Sequence, residues 1–406
     1  MKKTSEIILS PTYINQFSCL GPTCEDLCCG QWNIDVDKNT YFKYRKVNDA
    51  TLKPLFEQSI KRNRKGQSLN NYAQIILNED RKCNLLNEEN HCLVHKNLGE
   101  AFLCNTCAIY PREYRKMGGL VEKSLSLSCP EAARTLLLNP NGIEFAEQEP
   151  GEERILFTDN LDAHRAKLLW PVRIFVIRLL QNRQYSIELR LIFVGLFLQK
   201  LEAIEVALTE SIIVSEIQSF EMRLKMPEYI EAIKSLSSNI PIQIQLGKEL
   251  LYENLTKGAY NQRSIDVLND FIQGLGIQDL QEYGVKRALP LYEQAYSNYY
   301  EPYMKEHEFI LENYLVNYIF TKFFPNSQNS FSKSYTMLAV NFSLIKLQLI
   351  GMANTHQGLT EELVIKCIQS YSKAVDHNKI SFSHVQKKLN DAGLNTVAHM
   401  FIMIKS

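Results

Sequence analysis

Nine of the ten cysteines in this 406-residue chain lie before residue 130. They form the pattern Cys24-Glu-Asp-Leu-Cys28-Cys29, then Cys83, Cys92, Cys104-Asn-Thr-Cys107 and Cys129, with Cys19 just ahead and only Cys367 beyond. Thiolates are soft ligands that suit zinc or iron–sulfur centres. Close pairs let one short loop offer two sulfurs to one site, and distant cysteines then close the site and tie loops together. Structural zinc usually shows two regularly spaced pairs. Here only Cys104 and Cys107 have that spacing, although His91 and His95 flank Cys92 and could join. Four-iron clusters accept looser spacing, so the irregular set leans towards iron–sulfur and leaves zinc as the alternative. The isolated Cys367, and Cys19 with it, read as small buried hydrophobes. Cys24 and Cys28 also begin a CxxxCxxC, the radical S-adenosylmethionine motif, but the third position is Gln31, so that motif fails.

No GxGxxG after a strand, GxxxxGK[ST], HExxH or GxSxG occurs, which removes Rossmann, P-loop, zincin and hydrolase readings. Lys+Arg equals Asp+Glu at 45 each, so net charge does not hold the chain to nucleic acid. No segment reads as membrane-spanning. The apolar stretch from Leu168 to Leu201 is broken by four arginines, and the uncharged run Ser334 to Ile345 ends at Lys346. Met1 to Thr12 lacks an apolar signal region, so a cytoplasmic protein is expected. In that reducing compartment ten cysteines argue for metal or redox chemistry over disulfides.

The elements that must position these cysteines fall into two regions. Residues 1–145 show many turn signals and short periodic segments, and are expected to be irregular α with loops folded around a metal cluster. A stretch from Asn139 to Glu153, rich in Pro, Gly, Asn and acid, reads as the boundary. Residues 155–406 read as helical. Apolar residues recur at three and four over 168–180, 187–208, 312–323 and 360–371, Thr360 is a good N-cap, and Gly393 suits the position just past a helix. The fold class is therefore mainly α: a cysteine-rich metal-binding region followed by a helical domain.

The N-terminal region resembles the flagellin lysine-N-methylase (FliB) family. The resemblance rests on Tyr13 through Tyr41, on Cys83-Asn-Leu-Leu, Cys92-Leu-Val-His, Leu98-Gly-Glu100 and Thr106-Cys-Ala-Ile-Tyr110-Pro-Arg112, and on Ser126-Leu-Ser-Cys129-Pro-Glu131-Ala-Ala-Arg134. It covers residues 13 to 134 densely, and the rest only by length and helical character. It implies methyl transfer from S-adenosylmethionine to lysine ε-amines of flagellin, dependent on a 4Fe-4S cluster. With it, the ligand candidates are Cys24, Cys28, Cys29, Cys83, Cys92, Cys107 and Cys129; a serine would be typical at Cys104, which is left out. Four suffice, and adjacent Cys28 and Cys29 diverge in an extended backbone, so one of that pair is expected to bind. Methylation needs a neutral amine, hence desolvation or a base. Tyr110, Glu100, Asp35 and Glu131 are candidates. Each has a structural competitor: Asp35 and Asp37 as helix caps, Tyr110-Pro111 as a turn anchor, Glu131 as a partner of Arg134. The helical region is expected to dock flagellin. The other reading is a non-catalytic zinc or iron–sulfur interaction module.

Overall fold

The computed structural model describes residues 7–30, 32–66, 68–117, 120–149, 154, 157–160, 163–257, 261–277, 283–325, 330–378, 382–394 and 396–406. Met1–Glu6, Gln31, Gly118–Gly119, Pro150–Glu153 of the expected boundary, and Ile155 lie outside them. The chain divides into two compact units: one of Met1–Ala133, Phe145–Asn160 and Ala259–Asn261, the other of Arg134–Glu144, Leu161–Gly258 and Gln262–Ser406.

The first unit holds two sheets. Strands β1 (Ile7–Pro11), β5 (Arg112–Met117), β6 (Leu120–Leu125), β7 (Phe145–Gln148) and β8 (Phe157–Asn160) form a sheet of order β7-β1-β6-β5-β8. Strand β6 lies parallel to β1 and antiparallel to β5. Strands β2 (Asp35–Val36), β3 (Ile60–Arg62) and β4 (Ala73–Ile75) form a second sheet of order β2-β4-β3. Four helices accompany them: α1 (Lys38–Lys46), α2 (Leu52–Ser59), α3 (Leu93–Leu98) and α4 (Asn105–Ile109), and α5 (Pro130–Leu137) follows Cys129.

The expectation of irregular α with loops is therefore wrong for this unit, and β6 shows why. It is buried on both faces, Glu122 and Lys123 included, so it lacks the polar–apolar alternation of a half-exposed strand. Its charges are accommodated across the ladder: Arg115 of β5 stands opposite Glu122, and Lys123 lies 5.8 Å from the ring of Tyr114. The small sheet and its helices enclose a separate apolar core of Ile34, Val36, Tyr44, Phe56, Ala73 and Ile75, with Tyr44 stacked on Phe56 at 4.3 Å. Asp37 caps α1 by accepting from Thr40 N–H at 2.9 Å, and its other oxygen accepts from Asn105 N–H at 3.1 Å. One carboxylate thus fixes α1 and the start of α4.

The second unit is helical, as expected: α6 (Ala163–Leu180), α7 (Ile187–Glu202), α8 (Glu210–Leu224), α9 (Pro227–Lys234), α10 (Ile240–Lys257), α11 (Gln262–Leu275), α12 (Tyr283–Ala295), α13 (Glu301–Thr321), α14 (Phe331–His356), α15 (Glu361–Asn378), α16 (Phe382–Asp391) and α17 (Val397–Ile404). Thr360 Oγ1 accepts from Leu363 N–H ahead of α15, and Gly393 follows α16 at φ +71°. The run that ended at Lys346 in sequence belongs to the longer α14, which by length and composition could cross a membrane, yet 89% of that stretch is buried inside the unit. Its Lys346 is paired with Glu188 and donates to the carbonyl of Ile404. Arg190, 1% exposed, is held by Glu308 and Glu312.

Candidate functional site

The first unit contains a cavity of about 690 Å³, and all seven ligand candidates line it. Each reaches it from a different local device. Cys24 follows a short turn, Gly21–Thr23, and its thiol donates to the carbonyl of Asp26 at 3.4 Å. Cys28 and Cys29 sit in a bend. Contrary to the extended-backbone expectation, both line the cavity, with Sγ atoms 4.0 Å apart. Trp32 Nε1 donates to Cys28 carbonyl at 2.8 Å, and Cys83 N–H donates to Cys29 carbonyl at 2.8 Å. Cys92 precedes α3, Cys107 lies on α4, and Cys129 precedes α5.

Sulfur is also met by backbone donors. Leu85 N–H is directed at Cys83, Val94 and His95 N–H at Cys92, and Glu131 and Ala132 N–H at Cys129. Such bonds favour a thiolate over a thiol and tune a metal bound to it. Burial works the other way. It pushes Cys83 and Cys129 up to about 12, and raises Cys24 and Cys92. A metal bound there would have to displace the thiol protons.

Among the described residues no three His, Cys, Asp or Glu side chains converge as a single ion would need, and tetrahedral zinc requires four donors within about 2.0–2.3 Å of one point. A cluster spreads its thiolates over several irons. Soft donors around one cavity, with amides aimed at the sulfurs, would suit a metal–sulfur group.

Of the four acid–base candidates, Tyr110, Glu100 and Glu131 line the cavity, and Asp35 does not. Asp35 accepts from Gln74 Nε2 at 3.1 Å, and its carbonyl accepts from Thr106 Oγ1 at 2.8 Å. Tyr110 is 3.0 Å from Ser128 Oγ and its ring lies 5.9 Å from Trp32. Burial raises its hydroxyl well above the ordinary tyrosine value, so it can donate a hydrogen bond but is no base at neutral pH. His91 and His95 also line the cavity.

Three further lining residues escaped sequence reasoning. Cys19 stands at the cavity with Gly21 N–H donating to its Sγ at 3.4 Å, and it is exposed rather than buried. Asp26 is buried and accepts from Asn261 Nδ2 at 2.6 Å. Trp32 lay inside the quoted motif, where its packing against Tyr110 leaves no spacing signal. Cys104, set aside, is buried behind the cavity and hydrogen-bonded to Cys107; Cys367 is buried in α15.

A family model described as the FliB lysine N-methylase C-terminal domain matches residues 173–403, more than half of the chain. The flagellar biosynthetic protein FliU of Salmonella muenchen is 34% identical over 143 residues, which are 35% of this chain and 83% of that protein. Lysine-N-methylases of Salmonella typhimurium and Salmonella choleraesuis are 33% and 32% identical over 142 residues, 35% of this chain and 35% of each relative. The matched stretch thus spans about a third of those two methylases. No solved structure matches the chain significantly.

Proposed function

Since the chain belongs to the FliB lysine N-methylase family, we propose that it transfers methyl groups from S-adenosylmethionine to lysine ε-amines of flagellin in the cytoplasm, dependent on a 4Fe-4S cluster. The observation that carries the cluster is the arrival of eight thiols, from sequence positions 19 to 129, at one cavity. The flagellar substrate is suggested by the name of one relative, and the reaction by the names of two others.

Four of the cavity cysteines would hold the cluster. When bound, it supplies a one-electron centre and cross-links the loops that carry its ligands. The protein's own groups address the amine. A lysine must lose a proton before its nitrogen can attack, so a carboxylate at the cavity, Glu131 or Glu100, serves as acceptor. Tyr110, kept protonated by burial, orients a polar group by donating to it. Apolar walls such as Leu86, Leu103 and Pro130 limit water and lower the amine's pKa. The helical unit offers area for docking a folded substrate, for which an interface of roughly 800 Å² per partner is ordinary.

Anaerobically purified protein, flagellin and methyl-labelled S-adenosylmethionine test the reading. The expected result is a brown protein that labels flagellin lysines and stops when iron is removed. A colourless, zinc-loaded protein that retains no S-adenosylmethionine would identify a non-catalytic metal module instead.

A further inference from the structure

Between Lys38 and Lys65 the chain carries nine basic residues and two acidic ones, although its overall formal charge is zero. Part of this charge is compensated. Arg45 pairs with Glu57 at 3.7 Å, and Lys43 donates to the carbonyl of Ala101 at 3.4 Å. Lys38, Arg62, Arg64 and Lys65 have no acidic partner among the described residues. All four are exposed, and none lines the cysteine cavity.

The ring of Tyr72, buried just ahead of β4, is where the fold gathers them. Lys38 Nζ lies 5.8 Å from that ring and the Arg62 guanidinium 4.8 Å. Phe42, one turn on from Lys38 in α1, packs on Tyr72 at 5.7 Å and stays 45% exposed. Lys38 N–H donates to the carbonyl of Leu69 at 2.8 Å, which ties the start of α1 to the loop between β3 and β4. That loop carries Arg64, Lys65 and Leu69, the last 72% exposed. Asn63 N–H closes its base by donating to the Tyr72 carbonyl at 3.0 Å. Cations and exposed apolar side chains therefore share one corner of the small sheet, held by backbone bonds. Like charges held close repel one another, and an acidic partner relieves that repulsion.

We infer that this corner docks an acidic segment of the protein substrate. Carboxylates would meet the four cations, and an apolar side chain would meet Phe42 and Leu69. The inference rests on the proposed modification of a protein and adds how that protein is held. A polypeptide fits better than a nucleic acid, because bases need open aromatic faces to stack on. Lys38 and Arg62 stand over Tyr72, and Tyr41 packs edge-on against it at 5.2 Å. Leu69 has no face to offer a base. Since these residues lie outside the cavity lining, they act on association and not on the chemical step.

The test uses the full chain with flagellin as the probe, in binding and steady-state methylation assays. Wild type should bind flagellin more weakly as salt rises from about 0.05 to about 0.5 M. Lys38→Glu combined with Arg62→Glu should raise Kd and KM by about tenfold or more and leave kcat within about twofold. Lys61→Glu, on the opposite face of β3 from Arg62, is the control for net charge and should change Kd by no more than about twofold. An unchanged Kd in the double variant, an equal loss in Lys61→Glu, or a wild type that binds no flagellin would overturn the docking corner. So would RNA or anionic lipid vesicles that bind wild type and not the double variant while flagellin binding persists in both. Flagellin that binds through this corner but is never methylated would keep the docking surface and overturn the reaction proposed above. If the double variant unfolds, Arg64→Glu combined with Lys65→Glu in the exposed loop reads the same surface.

Discussion

Gly30 sets how closely the Cys28–Cys29 bend approaches the segment that carries Cys83. A Cβ at this position would lie 2.6 Å from the carbonyl oxygen of Arg81, across the bridge to Lys82. That neighbour is backbone and cannot swing away. Gly30→Ala should therefore cost about 1–3 kcal/mol and reduce iron content, read by thermal denaturation and metal analysis; unchanged values would show that the bend moves freely. A second residue-scale expectation concerns proton transfer. Glu131→Gln should slow methyl transfer by about 10²–10⁴-fold with iron retained, whereas Asp35→Asn, outside the cavity, should leave kcat within about twofold. Equal losses in steady-state assays would mean that Asp35 had been misplaced. The gathering of cysteines was legible because nine of the ten crowd into the first third of the sequence. The shared orientation of Cys28 and Cys29 was not legible, since it depends on a bend closed by Trp32 and Cys83, residues 4 and 55 positions away from Cys28. Cys19 was hidden for a related reason: its sulfur is held by an amide two residues on, in a turn that spacing does not reveal.

At the scale of elements, helices α11 and α14 cross backbone to backbone. A Cβ on Gly274 would sit 1.8 Å from the carbonyl oxygen of Gly351, and one on Gly351 would sit 2.8 Å from that of Phe271. Gly274→Ala should force the helices apart and cost about 3 kcal/mol or more, seen as a lowered Tm with near-native far-ultraviolet dichroism at low temperature. The Arg190 network makes another element-scale case. Glu312 is 2% exposed and bonds both Arg190 and Arg183. Glu312→Gln leaves a buried guanidinium short of charge and should destabilise by about 3–5 kcal/mol; replacing Arg190 and Glu312 together by apolar residues should recover much of it. Chemical denaturation of the single and double variants measures the difference. Helices of this unit were readable because 3.6-residue periodicity is local. Strands β5 and β6 were not, because Glu113, Arg115, Glu122 and Lys123 mimic an exposed segment, whereas Glu113 and Arg115 pair along β5, Arg115 stands opposite Glu122, and Lys123 meets the Tyr114 ring, contacts that appear only after folding.

At the scale of the whole molecule, the two units draw stability from different sources. The first has separate apolar clusters and a cysteine-lined cavity; the second has a long buried helix inside a helical shell. Metal binding adds to folding free energy wherever the ligands are absent from the unfolded state in that arrangement. Removing iron is expected to lower or abolish one calorimetric transition while the helical signal of the second unit persists. Simultaneous loss of both would show that the units fold as one. Helix α14 has a consequence for synthesis. Its burial is completed partly by α15 and α17, and Lys346 finds the Ile404 carbonyl only when α17 is in place. On the ribosome α14 emerges ahead of α15 and well ahead of α17, which starts only at Val397, and until then it is an apolar stretch with incomplete cover, long enough to attract the membrane-targeting machinery. A nascent chain stalled just after α14 should therefore bind holdase chaperones or signal-recognition particle, and one extended past α17 should release them.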